Sequence, residues 1–515
     1  MQSSNAVTQK NQSTTVRANV VINLIRTLTM TVLSFITFPY ITRALGENVF
    51  GLYTWANTFV YYFLILAKIS IPNIAIRECA KVKNDKKKLS HLTQQFFIIQ
   101  AITTLISFGF MTSLVCSIPD LFEAKELIFL LSVNFLIGVF SFEWIYIALE
   151  KHFYITIRSI LLIALSAMLV FLVIRKTETA ENEVYIYAAI TISTTVLTSI
   201  FNCLYLPKFI TFKRVGRYNF RPLLRPLVTL FFISFALTLY NQTDEFLLGF
   251  FDTSKAQVGA YSVGVKGVDI IITIITSLYA VFMPRASYYY EKENKYFYRN
   301  LLSYSFTITM FIAVPAIATM TTLAPQITSL ISGNYSSSEY KDASWILVAL
   351  SSMMLTYSLA DNIYTEILLP QKKERIYLYS MVFGVISNIL LSVIFGLLIF
   401  KNDPGIGVAI ATGLTDVLLL IFLIYKSWDY SKETIFNINS LKIAISGVAI
   451  ALLSYFLAPV IERVLPFSDN DIWINYMLTL LIIVAMDALI YVGILFFTKE
   501  RLVSSIFRRG NKEDA

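Results

Sequence analysis

The sequence predicts an all-α membrane protein that crosses the bilayer about fourteen times. Apolar stretches of about 20 residues recur along the chain, and a helix rising 1.5 Å per residue needs that length to cover a hydrocarbon core of about 30 Å. Hydrophobic residues make up 56% of the 515 residues and the mean hydropathy is +0.66, so few polar groups remain to coat a water-soluble particle. Lys and Arg residues collect in alternate loops, as the topology of a multi-pass protein requires.

Each predicted span is an apolar run bounded by polar or charged residues. In chain order, spans 1 to 14 are expected at residues 17–38, 52–76, 93–116, 126–148, 156–174, 184–206, 227–250, 258–283, 301–323, 343–368, 377–400, 406–425, 441–461 and 473–497. With a cytoplasmic N-terminus, and with cations at span ends such as Arg158 counted with the adjoining loop, the cytoplasmic side receives 31 Lys and Arg residues and the opposite side 8. The positive-inside rule therefore predicts that both termini are cytoplasmic. The net charge of +9 reports this orientation, and no nucleic-acid partner is expected.

An internal repeat divides the first twelve spans into two sets of six. A shift of 208 residues aligns three pairs of identical residues, which are Gly51 with Gly259, Tyr53 with Tyr261 and Arg77 with Arg285. Since an even number of spans separates the copies, they should be parallel repeats about an axis along the membrane normal. We predict an N-terminal lobe at 1–206, a C-terminal lobe at 207–425, and two additional C-terminal spans with a cytoplasmic tail at 426–515. Two such lobes would enclose a central cleft, the usual transport site of carriers built from repeats.

Three cations fall inside predicted spans and more than three residues from either end, at Arg26, Lys68 and Lys266. Charged side chains are costly in lipid, so they should face a cavity or a partner. We interpret all three as cavity residues for an anionic cargo, because a phosphate or pyrophosphate that leaves water needs fixed positive charge. Two alternatives remain open. Lys266 and Asp269 could form an i,i+3 pair that only fixes helix packing, and Arg26 and Lys68 could extend toward the headgroups.

Further polar residues accompany these cations on spans 1, 7 and 8. They are Asn23, Asn241, Gln242, Asp244, Glu245 and Asp269. The three carboxylates could bind a coupling Na⁺ or H⁺, or could simply balance the positive charge. The carboxylates Glu143, Asp361, Glu366, Asp416 and Asp487 are more scattered, and packing or interhelical hydrogen bonds explain them equally well. Neither histidine has metal-ligand spacing or a nucleophile beside it, so no metal site, other cofactor or catalytic residue is predicted.

Several short motifs resemble one family of transporters in their order and spacing. They are Phe38-Pro-Tyr-Ile-Thr-Arg-Ala-Leu-Gly46 with Gly51-Leu-Tyr53, Leu239-Tyr-Asn-Gln-Thr-Asp244 with Val258-Gly-Ala-Tyr261, Leu369-Pro-Gln-Lys-Lys373, and Gly405-Ile-Gly-Val-Ala-Ile-Ala-Thr412. This pattern resembles the bacterial polysaccharide flippases of the multidrug/oligosaccharidyl-lipid/polysaccharide exporter superfamily. The resemblance extends over most of the chain, to about Lys426.

The resemblance implies two six-helix lobes with two extra helices. It also implies a flippase that moves an undecaprenyl-pyrophosphate-linked oligosaccharide across the bacterial cytoplasmic membrane by alternating access, for the assembly of a surface polysaccharide. Such a protein is not an enzyme, and a polysaccharide polymerase and export machinery are its expected partners. In these flippases cationic cavity residues are thought to hold the pyrophosphate or acidic sugars, which suggests Arg26, Lys68 and Lys266 by position.

Two other functions fit parts of the sequence. A cation-coupled multidrug antiporter of the same superfamily would have the same architecture, but its cargo is usually cationic, whereas the predicted cavity is at least as basic as acidic. A membrane glycan polymerase would need a large outward loop with catalytic residues. The longest outward loop, 324–342, has only Glu339, Lys341 and Asp342 as ionisable groups.

Overall fold

A computed structural model describes residues 2–175, 180–333, 339–464 and 472–504. Within these ranges every regular element is a helix, which confirms the predicted all-α class. Thirteen segments of the described chain are long and apolar enough to cross a membrane, so the chain is a multi-pass membrane protein. The C-terminal tail that the sequence places in the cytoplasm lies outside the described residues from position 505 onward.

The chain divides into two compact units, residues 1–239 and 240–515. Unit 1 contains helices α1 (Gln2–Lys68), α2 (Ile71–Lys81), α3 (Lys86–Ser117), α4 (Pro119–Glu123), α5 (Lys125–Gly138), α6 (Glu143–Ala148), α7 (His152–Val173) and α8 (Ala180–Tyr205). The boundary between the units falls within the next helix, α9 (Arg221–Phe251). The predicted division into three parts, with boundaries after residues 206 and 425, is not tested by this division into two units and stays a prediction.

The first spanning segment of unit 1, Ile25–Lys81, has 57 residues. At 1.5 Å per residue it is far longer than a bilayer is thick, and it is interrupted twice. Gly46 has φ 73° and ψ 171°, in a region of positive φ that glycine adopts without a Cβ penalty. Ile69 and Ser70 also have positive φ, and α2 starts immediately after them with Pro72 in its first turn. The segment therefore accounts for both predicted spans 17–38 and 52–76, and the second ends earlier than predicted.

Unit 2 contains helices α10 (Ala256–Glu291), α11 (Lys295–Thr322), α12 (Ala324–Ser332), α13 (Ala343–Leu350), α14 (Met353–Asn362), α15 (Glu374–Val393), α16 (Pro404–Lys426), α17 (Trp428–Ile435), α18 (Ile438–Val464) and α19 (Ile472–Phe497). Short π-helical turns follow α14 at Ile363–Leu368 and α15 at Ile394–Ile399. Helix α10 packs against α11, α13, α14 and α16.

The two C-terminal spans, α18 and α19, belong to unit 2 and pack on one another and on α11. The approach of α18 to α11 depends on Gly447, since a Cβ at this position would lie 2.2 Å from Val314 Cγ1. Asp487 of α19 accepts hydrogen bonds from Ser454 Oγ of α18 at 2.7 and 2.8 Å and from Thr319 Oγ1 of α11 at 3.4 Å. Close packing and interhelical hydrogen bonds therefore fix these helices within unit 2.

Candidate functional site

Unit 1 contains a polar cavity of about 450 Å³. Helices α1, α5, α6 and α8 supply most of its walls, and amides and hydroxyls are unusually frequent for a membrane interior. Its polar lining residues are Tyr53, Asn57, Tyr61, Lys68, Asn134, Ser141, Glu143, Thr191, Thr194, Thr195 and Thr198. The predicted cavity cation Lys68 therefore lies at a polar cavity, among groups that can bond to phosphate or sugar oxygens.

A broken helix places Glu143 at this cavity. Helix α5 ends at Gly138 and α6 begins at Glu143, with Phe142 in the left-handed region at φ 45°, so predicted span 126–148 is interrupted near its middle. Side chains of α8 bond to carbonyls at this interruption: Asn202 Nδ2 donates to Ser141 O, and Ser199 Oγ donates at 3.3 Å to Ile137 O, which also accepts from the backbone N–H of Phe140 at 2.9 Å. Glu143 lies in the first turn of α6, where the helix dipole favours a carboxylate.

Three cations surround Glu143. Arg26 Nη1 lies 3.1 Å from Glu143 Oε1, and Arg158 Nη2 lies 3.4 Å from Glu143 Oε2. Lys68 shares the cavity with Glu143 and is near enough for electrostatic attraction. The Arg158 side chain is only 5% exposed, whereas those of Arg26 and Glu143 are 22% and 36% exposed. These four groups, which we call the Glu143 cluster, carry a formal net charge of +2.

Unit 2 contains a second polar cavity, of about 350 Å³. Five of the predicted polar residues line it together, namely Asn241, Gln242, Asp244, Glu245 and Asp269. Asp269 is exposed toward it, and Glu245 accepts a hydrogen bond from Ser262 Oγ at 3.1 Å. The third predicted cation, Lys266, is partly buried on α10 one turn before Asp269.

Asp244 is the most enclosed carboxylate of this second cavity. Its Oδ2 accepts hydrogen bonds from Tyr261 OH at 2.7 Å and Thr412 Oγ1 at 2.8 Å, and Asn388 Nδ2 donates to the same threonine oxygen at 3.2 Å. Within the described part of the chain, buried Asp244 Oδ1 and Asn388 Oδ1 accept no hydrogen bond. Helices α9, α10, α15 and α16 thus converge on a small group of oxygen atoms.

The structure groups some of the predicted site residues and leaves others apart. Arg26 and Lys68 belong to the Glu143 cluster, while Asn23 is exposed on α1 one turn before Arg26. Lys266 is in the other unit, so a single cavity that holds all three cations stays a prediction.

Sequence reasoning missed three residues of these sites. The sequence pattern places Glu143 and Asp416 among the scattered carboxylates, and it places Arg158 at the end of predicted span 156–174, where it counts with the adjoining cytoplasmic loop. A signal was present for Asp416, because Thr412 and Asp416 are four residues apart on one face of α16, as Tyr240 and Asp244 are on α9. Tyr240 OH donates to Asp416 Oδ1 in the structure. The pairing of Arg26 with Glu143 joins residues 117 positions apart, and no local pattern indicates it.

Comparisons with known proteins agree with this architecture. The family model described as "Polysaccharide biosynthesis protein" matches residues 16–290, and the MatE model matches residues 230–394. A protein of Escherichia coli (strain K12) described as "Putative O-antigen transporter" is 25% identical over 130 residues, which are 25% of this chain and 31% of that protein. The match thus spans less than a third of that relative's length.

Two solved structures share the fold. The lipid II flippase MurJ aligns with a TM-score of 0.68 at 16% identity, over 95% of this chain and 99% of that one. An inward-facing multidrug resistance MATE family transporter aligns with a TM-score of 0.60 at 16% identity, over 81% and 99%. Because the first family model matches more than half of the sequence, the chain belongs to the polysaccharide biosynthesis protein family, among the membrane transporters of the multidrug/oligosaccharidyl-lipid/polysaccharide exporter superfamily.

Proposed function

We propose that the chain is a flippase for a lipid-linked oligosaccharide. Its cargo would be carried on undecaprenyl pyrophosphate and moved from the inner to the outer leaflet of the bacterial cytoplasmic membrane, by alternating access, for surface polysaccharide assembly. The names of an O-antigen transporter and a lipid II flippase among similar proteins support this substrate class. A polysaccharide polymerase and export machinery would receive the product, and both termini would be cytoplasmic.

The observation that carries the proposal is the charge of the Glu143 cluster. Arg26, Lys68 and Arg158 face one carboxylate, and a net charge of +2 in a membrane interior is costly without a counter-anion. A pyrophosphate diester carries two negative charges, and arginine binds its oxygens in a bidentate manner. Amides and hydroxyls of the same cavity can bond to the first sugars. We propose Lys266 as a further cation for the cargo.

A coupling cation is proposed at the second cavity. Asp244 Oδ1 and Asn388 Oδ1 have unused lone pairs in the described part of the chain, and Thr412 Oγ1 lies between their side chains. Oxygen atoms of this kind suit Na⁺, and a carboxylate alone suits H⁺. Glu245, Asp269, Asn241 and Gln242 line the same cavity and would keep the site polar.

A complementation experiment tests the proposed function. Deletion of the gene should abolish surface polysaccharide and cause a lipid-linked oligosaccharide to accumulate on the cytoplasmic leaflet. The wild-type gene should restore the polysaccharide, while Arg26→Ala, Lys68→Ala and Lys266→Ala should fail at equal protein level. Lys83→Ala is the matched control, because Lys83 is exposed and paired with Glu150 outside the spans. Normal polysaccharide in all three cavity variants would contradict the proposal.

The MatE match over residues 230–394 favours one second candidate, a cation-coupled drug antiporter. The acidic residues of the second cavity would suit a cationic cargo. This function predicts that cells lacking the gene become sensitive to cationic dyes such as ethidium while surface polysaccharide stays normal.

A further inference from the structure

An apolar groove of about 690 Å³ runs along the surface of unit 1 between α7 and α8. Its α7 side is a stripe of residues three or four positions apart, from Phe153 to Leu165, which extends about 18 Å along the helix. The aliphatic and aromatic residues that matter here are Phe153, Ile157, Leu161, Leu165, Leu197 and Phe201. This surface suits a hydrocarbon chain that lies along the helix pair.

Arg158 joins this groove to the polar cavity. It lines the groove, its Nη1 donates to Asn202 Oδ1, and its Nη2 lies 3.4 Å from Glu143 Oε2. Glu143, which Arg158 contacts, lines the polar cavity together with Lys68. The Arg158 side chain is only 5% exposed, and within the described residues its buried Nε donates no hydrogen bond. A charged group thus lies between a polar space and an apolar one.

We propose that the α7–α8 groove holds the part of the polyprenyl chain nearest the pyrophosphate, with Arg158 at the junction between the tail and the head. This inference rests on the proposed function and adds the location of the tail. An amphiphile with an anionic head and a hydrocarbon tail matches both spaces at once. The charge favours the cargo over a resident phospholipid, because a prenyl pyrophosphate diester carries two negative charges against the +2 of the Glu143 cluster, whereas phosphatidylglycerol carries one.

The groove also has the direction that pickup from the inner leaflet requires. By the predicted topology, α7 starts at the cytoplasmic side, so Arg158 lies about 9 Å along the helix from His152 and the apolar residues 161, 162 and 165 follow deeper in the membrane. A lipid that enters from the cytoplasmic leaflet would place its phosphates near Arg158 and its chain beyond it.

A binding experiment on the purified full chain in phosphatidylcholine nanodiscs tests this assignment. The probes are undecaprenyl pyrophosphate, which has the long tail, and isopentenyl pyrophosphate, which has only five carbons. Leu161→Trp fills the groove at a position whose side chain is exposed, so the fold should tolerate it. The matched control is Leu172→Trp, also exposed on α7 but outside the groove.

Leu161→Trp should weaken undecaprenyl pyrophosphate binding by at least about tenfold, since the loss of only two methylene contacts has that effect. Its affinity for isopentenyl pyrophosphate should equal that of wild type, and Leu172→Trp should bind both probes normally. Lys68→Ala should weaken both probes. Arg158→Gln should also weaken both, and Arg158→Lys, which keeps the charge, should restore much of the affinity.

Three results would overturn the inference in distinguishable ways. If Leu161→Trp binds the long probe normally while Lys68→Ala does not, the proposed function survives and the tail lies elsewhere. If equimolar phosphatidylglycerol displaces undecaprenyl pyrophosphate from wild type but not from Leu161→Trp, the groove is a site for ordinary anionic phospholipid. If wild type binds neither probe, the proposed function itself fails, and the tail assignment fails with it.

Discussion

Replacement of Glu143 by Gln should destabilise unit 1 far more than a typical surface substitution. Gln keeps the size of the side chain but removes the carboxylate that faces Arg26 at 3.1 Å and Arg158 at 3.4 Å. The net charge of the cluster then rises from +2 to +3. Loss of one partner from a buried ion pair costs about 3 to 5 kcal/mol and from an exposed pair at most about 1 kcal/mol. Because Glu143 is 36% exposed and Arg158 only 5%, we expect a loss of about 2 kcal/mol.

The assay is thermal melting of the purified protein in one detergent. For a unit of 239 residues, a loss of about 2 kcal/mol should lower the melting temperature by roughly 4 to 8 °C. Glu150→Gln is the control, because Glu150 also accepts from a cation, Lys83 Nζ at 2.7 Å, but the two side chains are 52% and 40% exposed. Its melting temperature should change by much less. Equal melting temperatures for the two variants would refute the assignment of Glu143 as the central counter-ion of the cluster.

Three further predictions concern other parts of the molecule. At one hundred times its dissociation constant, Na⁺ should stabilise wild type by about 2.7 kcal/mol and so raise its melting temperature. Asp244→Asn should abolish this rise, while the exposed Asp429→Asn should respond as wild type does. A rise in Asp244→Asn equal to that of wild type would exclude Asp244 as a ligand. Gly447→Ala should cost about 1 to 3 kcal/mol through its clash with Val314, and Gly493→Ala, which has no atom within 4 Å of the new Cβ, should not lower the melting temperature. Hydrogen bonds from the backbone N–H groups of Lys88 and Lys87 lower the pKa of Asp85, so its cap stabilises the start of α3 at neutral pH and is lost as the pH falls through that lowered pKa. Asp85→Ala should therefore reduce the protection of the amides of residues 87 and 88 from hydrogen exchange at pH 7. Equal protection in wild type and Asp85→Ala at that pH would contradict the cap.

The sequence is sufficient for the fold class because the bilayer demands long apolar helices. The predicted spans 301–323 and 473–497 correspond closely to α11 and α19, since each is one continuous apolar run. Interruptions are harder to predict, because neighbouring helices rather than local residues stabilise them. At the break before Glu143, Asn202 and Ser199 of α8 donate hydrogen bonds to the carbonyls of residues 141 and 137. The local signal is Gly138 at the end of α5, and one glycine within an apolar run does not by itself predict a break.

The candidate sites were predictable only where the evidence is local. Asn241, Gln242, Asp244 and Glu245 are consecutive or nearly so on one span, and the structure places all four at one cavity. The Glu143 cluster is different, because its members come from α1, α6 and α7, and their contacts depend on helix packing. A charge count by loops also assigns Arg158 to the cytoplasm, although its side chain is nearly buried.

Hydrogen-bond saturation separates the carboxylates that hold helices together from those that could take a ligand. Both oxygens of Asp487 accept from Ser454, so its bonding capacity serves the packing of α18 and α19. Asp244 and Asp416 each use one oxygen on a tyrosine and keep a second, buried oxygen without a hydrogen bond in the described chain. A buried carboxylate oxygen that lacks a donor is costly, and a bound cation or proton would remove that cost. The same test explains why equal burial in a span does not make every acidic residue a candidate for coupling.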